Sequence, residues 1–112
     1  MNVRMSKLPI TVIVLTKNEE LALEGCLDSV KNFAQILLVD SNSTDRTIQI
    51  AKSHGCLIID FKWNGTYPKK KQWSLERPEI ENDWVLFLDA DERVSQELTE
   101  EINELVVNKS LN

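Results

Sequence analysis

A single histidine, two cysteines and three glycines leave this chain without the parts that several common chemistries require. With His54 alone, no zinc-ligand set can be assembled. His54 follows a helical stretch, where its charge is mildly favourable, and it reads as structural rather than catalytic. Cys26 and Cys56 form no Cys-x-x-Cys pair; the first falls in a helical pattern and the second opens a strand pattern. Both are expected to be reduced core residues, which fits a cytoplasmic compartment. No run approaches the ~20 apolar residues of a membrane span, and Met1–Lys7 lacks the build of a secretory signal. Positive charge is also short: 18 acids against 13 bases give a net charge of −5. That excludes the basic face of a nucleic-acid binder, and it makes the run Lys69-Lys70-Lys71 conspicuous.

What is present is a chain of 112 residues, the size of one domain or part of one. Pro9–Leu15 is β-branched and apolar and predicts a buried first strand. Asn18 is placed to cap a following helix, with Glu19 and Glu20 at the positive end of its dipole. Leu23, Leu27 and Val30 give that helix one apolar stripe. Gly25 weakens it by up to about 1 kcal/mol unless something packs closely there. Ile36–Val39 is a second strand ending at Asp40. The polar turn Ser41–Asp45 leads into a helix through about Ser53, closed by Gly55 as a C′ residue. Cys56–Phe61 is a third strand, Trp63–Pro68 a loop, and Lys69 to about Leu75 a short helix. Arg77 to Asn82 is an irregular link. Ser95 caps a last helix, on which Leu98, Ile102, Leu105 and Val106 keep the 3.6-residue period.

Between these lies Asp83-Trp84-Val85-Leu86-Phe87-Leu88-Asp89-Ala90-Asp91-Glu92. The unbroken apolar run predicts a strand buried on both faces at the centre of a parallel sheet. Taken alone, its acids could simply enter a solvated turn, with Asp91 or Ser95 capping the next helix. The order βαβαβ(α)βα changes that balance. It predicts a doubly wound, mostly parallel α/β sheet in the order 3-2-1-4, whose ligands bind at the carboxyl ends of the strands. Three polar ends then converge there: Thr16 to Asn18, Asp40-Ser41, and Asp89 to Asp91. Two carboxylates separated by small Ala90 suit a hard divalent cation that carries a phosphate.

The chemistry can be narrowed further. The first turn, Thr16-Lys17-Asn18-Glu19, contains no glycine, which excludes a dinucleotide-binding fingerprint and a P-loop and disfavours sugar-nucleotide pyrophosphorylases. Haloacid-dehalogenase phosphatases need Thr or Val two places after the second acid; Arg93 stands there instead.

Three segments, Thr11–Glu19, Leu38–Asp45 and Trp84–Ser95, resemble family 2 glycosyltransferases of the GT-A fold. Their wording is similar to the branch that includes lipopolysaccharide-core glucosyltransferases, and the resemblance spans about residues 9–105. It implies that residues 1–112 are the nucleotide-sugar-binding half of such an enzyme, with the acceptor half absent. By the same resemblance, Thr16, Asn18, Asp40 and Ser41 lie at the donor nucleoside. Lys71 lies near the donor phosphates, Asp89 near ribose and sugar hydroxyls, and Asp91 is the ligand of Mn²⁺ or Mg²⁺. Two positions depart from many relatives: Ser41 stands for a second acid, and Lys17 for a tyrosine able to stack on the base. For Lys69–Lys71 the plainer reading is a solvated helix face.

The implied activity is inverting transfer from a nucleoside-diphosphate sugar, a UDP-sugar above all, to a glycan or lipid-linked acceptor. Its general base is expected outside this chain, so no catalytic residue is assigned. The expected location is the cytoplasm, peripheral to the inner face of the membrane, with a homo-oligomer as the expected state. The alternative is a nucleotide-binding or interaction module without turnover.

Overall fold

In a computed structural model of the chain, the described residues are 7–62 and 69–111, the last three by their backbone alone. The expected loop Trp63–Pro68 therefore lies outside the described residues. Among the described residues four strands, β1 (Leu8–Thr16), β2 (Phe33–Asp40), β3 (Leu57–Asp60) and β4 (Trp84–Asp89), alternate with four helices. The helices are α1 (Leu23–Ser29), α2 (Thr47–Ser53), α3 (Lys70–Leu75) and α4 (Gln96–Leu111). All pairings are parallel and the order is β3-β2-β1-β4, as the sequence predicts.

β1 owes its central place to its composition. Val12, Ile13 and Val14 are fully buried, and alternate side chains enter opposite faces of the sheet. Val12 and Val14 join Leu38, Leu88, Leu23, Cys26, Leu27, Val94 and Val106 on the face covered by α1, α2 and α4. Ile13 joins Leu37, Val39 and Phe61 on the other, where Trp73 of α3 closes the core. The Phe61 and Trp73 rings stack at a tilt, 5.0 Å apart. Each fully buried aliphatic side chain contributes about 1.5–3 kcal/mol, and Val12, Ile13 and Val14 of β1 are matched by Leu37, Leu38 and Val39 of β2.

Three expectations are corrected. β4 is not central: it pairs with β1 alone, Trp84 is 40 % exposed, and of its residues Leu88 alone is buried. Its continuous apolar run comes from covering both faces of an edge, which periodicity cannot distinguish from a central position. β3 is shorter than Cys56–Phe61 and half-exposed, as the opposite edge. Asn18 caps no helix; α1 begins at Leu23, with no side-chain cap, after a turn in which Ala22 and Leu23 donate to the Glu19 carbonyl.

Other details agree with the sequence. Gly55 has φ +76°, the left-handed geometry that ends a helix. Ser95 Oγ accepts the Leu98 N–H at 3.0 Å and so caps α4. Along α4, Val106 is buried and Ile102 half-buried, whereas Leu98 and Leu105 are exposed. Both cysteines are free thiols, and no helix among the described residues is long and apolar enough to cross a membrane.

Candidate functional site

The register fixes which residues can meet. Thr16 lies opposite Asp40, and Leu15 opposite Asp89, so the polar ends of β2, β1 and β4 stand side by side. Two unlike regions result.

The first is a mesh between the β1–α1 and β2–α2 turns. Asp40, only 1 % exposed, accepts from Thr16 Oγ1 (2.6 Å), Ser43 N–H (2.8 Å) and Ser43 Oγ (2.6 Å). Ser41 N–H donates to the Thr16 carbonyl, and Phe61 N–H to that of Asp40. Asn18, in the left-handed region at φ 54°, turns its Oδ1 onto Thr44 N–H (2.7 Å) and Asp45 N–H (3.4 Å). Its own N–H donates to Ser43 Oγ. Asp45 accepts from Thr47 N–H, Thr47 Oγ1 and Glu20 N–H. Desolvation, the largest single influence, pushes the Asp45 carboxyl up, but these hydrogen bonds together outweigh it and hold the group below the usual carboxylate range. The side-chain oxygens of Thr16 and Asp40, and the amide oxygen of Asn18, are thus engaged with the protein itself.

The second region is the turn after β4. Asp89, Asp91 and Glu92 are exposed, while Ala90 and Val94 are buried and anchor the turn. Glu92 N–H donates to the Asp89 carbonyl (2.9 Å), and Glu92 Oε1 accepts the Asp89 N–H (2.8 Å). This reciprocal pair follows the spacing of a capping box, a signal in the sequence that could have singled out Glu92. A cavity of about 250 Å³ opens beside it, lined by Leu15, Lys71, Phe87, Leu88, Asp89 and Glu92. Lys71 and Asp89 therefore share one cavity, with Lys71 Nζ 4.9 Å from the centre of the Phe87 ring. Asp91 is not among the residues lining it.

The neighbouring Lys70, which the sequence did not distinguish from its flanking lysines, reaches the centre of the sheet. Its Nζ donates to the Thr16 carbonyl at 2.7 Å. Partial burial holds its ammonium below the usual lysine range, with Asp40 working against the shift. Lys17 Nζ donates to the Asn42 carbonyl at 3.0 Å. Positive charge thus borders the crevice on the side of β1 and α3, and negative charge on the side of β4.

No group of three or more His, Cys, Asp or Glu side chains stands at metal-ligand spacing among the described residues. A cage made wholly of protein is not what a hard cation carrying phosphate needs; one or two carboxylates plus phosphate oxygens and water suffice. Asp91, exposed and beside Asp89, fits that requirement. The thiols offer no nucleophile. Burial pushes Cys26 up to about 12 and Cys56 up to about 11, so the reactive thiolate is scarce near neutral pH. His54 sits away from the crevice, paired through Nε2 with Glu24 Oε2 at 2.9 Å.

The model of glycosyl transferase family 2 matches residues 11–109. The chain belongs to that family. An uncharacterized glycosyltransferase of Rickettsia bellii is 42 % identical over 94 residues, covering 83 % of this chain and 31 % of that protein. The lipopolysaccharide core biosynthesis glycosyltransferase LpsC of Rhizobium meliloti is 34 % identical over 105 residues, covering 89 % of this chain and 38 % of the relative. The chain thus spans about a third of the length of these curated relatives. Among solved structures, S. aureus TarS 1–349 in complex with UDP superposes with a TM-score of 0.73 at 25 % identity, covering 90 % of this chain and 32 % of that one. The sheet order and helix placement described above are shared with this GT-A type of glycosyltransferase.

Proposed function

We propose that the crevice at the carboxyl ends of β2, β1 and β4 binds the nucleoside-diphosphate part of a sugar donor, a UDP-sugar, through Mn²⁺ or Mg²⁺ held by Asp91. The observation that carries this reading is the meeting of Lys71 with Asp89 and Glu92 in one cavity of about 250 Å³, beside the turn that carries exposed Asp91. The family membership and a UDP-bound fold relative support the choice of ligand.

In this reading Thr16, Asn18, Asp40 and Ser41 shape the floor under the nucleoside. Lys71 supplies a point charge to a phosphate. Asp89 accepts from ribose and sugar hydroxyls. Electrostatics then calls for the cation. A nucleoside diphosphate brings negative charge toward exposed Asp89, Asp91 and Glu92. Each like-charge pair at about 4 Å costs on the order of 1 kcal/mol in water and about 4 at an effective dielectric near 20. Lys71 offsets one such pair. When bound, Mn²⁺ or Mg²⁺ would neutralise the rest and stabilise the leaving diphosphate.

The reaction served is inverting transfer of the sugar to a glycan or lipid-linked acceptor, of the kind named for LpsC, at the cytoplasmic side of a membrane. Exposed Leu98, Leu105 and Val107 on α4, together with the edge position of β4, make self-association the expected state in solution. A panel of UDP-, GDP-, CDP- and dTDP-sugars, scored by thermal stabilisation with Mn²⁺ and with EDTA, tests the ligand. Stabilisation by a UDP-sugar in Mn²⁺ alone is expected. No stabilisation by any of them would remove the donor assignment.

A further inference from the structure

The turn carrying Asp91 is gripped by one short helix, at three successive places. Cys26 Sγ donates to the carbonyl of Asp89 at 3.6 Å. Ser29 Oγ accepts the N–H of Val94 at 3.0 Å while donating to the Cys26 carbonyl at 2.7 Å, so both capacities of the hydroxyl are used. Between these two ends, the guanidinium of Arg93 lies directly on Gly25: a Cβ added there would overlap its Nη2, Cζ and Nε. The contacts bracket Asp91 from residue 89 to residue 94. They come from Gly25, Cys26 and Ser29, which share the last two turns of α1.

We propose that α1 is the positioning element of the acidic turn, with Gly25 and Ser29 as positioning residues that hold Asp91 where it meets the cation. The proposal rests on the metal-assisted donor binding proposed above. Its physical content is preorganisation: an exposed carboxylate on a free turn would have to be ordered when the ligand binds, whereas one clamped at both ends avoids that cost. It also accounts for a glycine inside a helix, where alanine would form helix better. At position 25 a side chain would lift the Arg93 guanidinium off the helix.

The design gives stability and binding opposite signs. Gly25→Ala improves helix propensity and displaces only the far end of a flexible side chain, so its Tm should match or exceed that of the wild type. The same change should cut the Mn²⁺ enhancement of UDP affinity at least threefold, with affinity in EDTA unchanged. Ser29→Ala, which orphans the Val94 N–H, should cut the enhancement similarly, and Ser29→Thr should restore it. Arg93→Ala separates charge from position. Loss of a positive charge near Asp91 alone would strengthen cation binding, whereas loss of the clamp weakens it.

Hydrogen exchange of the 89–94 segment without ligand supplies an arm independent of metal, and faster exchange is expected in Gly25→Ala, Ser29→Ala and Arg93→Ala. Unchanged exchange in all three overturns the proposal, as does a metal enhancement in Gly25→Ala equal to that of the wild type. If the wild type itself shows no metal enhancement, the donor-metal reading fails, and with it the role of α1 in aiming Asp91. Faster exchange in the variants would then establish α1 as a clamp on the turn and nothing more.

Discussion

The two halves of the crevice both carry aspartates and use them in opposite ways. In the mesh between the β1–α1 and β2–α2 turns, Asp40 is buried and accepts three hydrogen bonds. In the turn after β4, Asp89 and Asp91 are exposed. A buried carboxylate is tolerated because its partners replace the water it loses. An exposed one retains unshared lone pairs that a ligand can take. In the proposed function the same residue type thus builds the frame on one side and serves as the working part on the other, and burial divides the two.

The difference can be broken by substitution. Asp40→Ala strips the acceptor from Thr16 Oγ1, Ser43 N–H and Ser43 Oγ at once, and should lower stability by about 3 kcal/mol in chemical denaturation. A loss no larger than that of an exposed aspartate would erase the contrast. Lys71→Ala removes a charge from the cavity wall and should weaken UDP binding by about 1.4 kcal/mol, roughly tenfold, in Mn²⁺ and in EDTA alike. An effect confined to Mn²⁺ would move Lys71 to the metal side. Asn18→Gly keeps the left-handed backbone but deletes the oxygen that receives Thr44 N–H, at a cost of about 1 kcal/mol. An unchanged denaturation midpoint would shift Asn18 from frame to working part. Smallest in stability is Leu105→Glu on exposed α4, expected within about 0.5 kcal/mol of wild type. Light scattering should nevertheless show it less associated than the wild type, and equal association would acquit that face.

The sheet was legible in the sequence for a simple reason. Val12, Leu38 and Leu88 sit in continuous apolar runs broken by polar turns, and alternation with helices forces parallel neighbours. At β4 the order 3-2-1-4 pointed to the edge and the unbroken apolar run to the centre; the run misled because residues on both faces of this edge strand pack into the cores. The role of Asn18 was not legible. As a single residue before Glu19-Glu20 it has the look of a cap, yet its bonds run to residues 26 and 27 positions away. Contacts of that range depend on register, which composition does not reveal. Gly25 lay between these cases: the sequence shows that a close neighbour is needed there, and the fold shows Arg93. Glu92 was missed although its three-residue spacing from Asp89 was in plain view.

The proposed donor binding depends on a cation brought by Asp91. Calorimetric titration of UDP into the wild type and Asp91→Asn, each in Mn²⁺ and in excess EDTA, tests it directly. Wild-type binding should be at least tenfold tighter in Mn²⁺, roughly 1.4 kcal/mol. The Asp91→Asn variant should keep an unaltered denaturation midpoint and show one weak affinity in both solutions. Wild-type binding equally tight in EDTA, or an Asp91→Asn variant that still responds to Mn²⁺, would contradict this dependence.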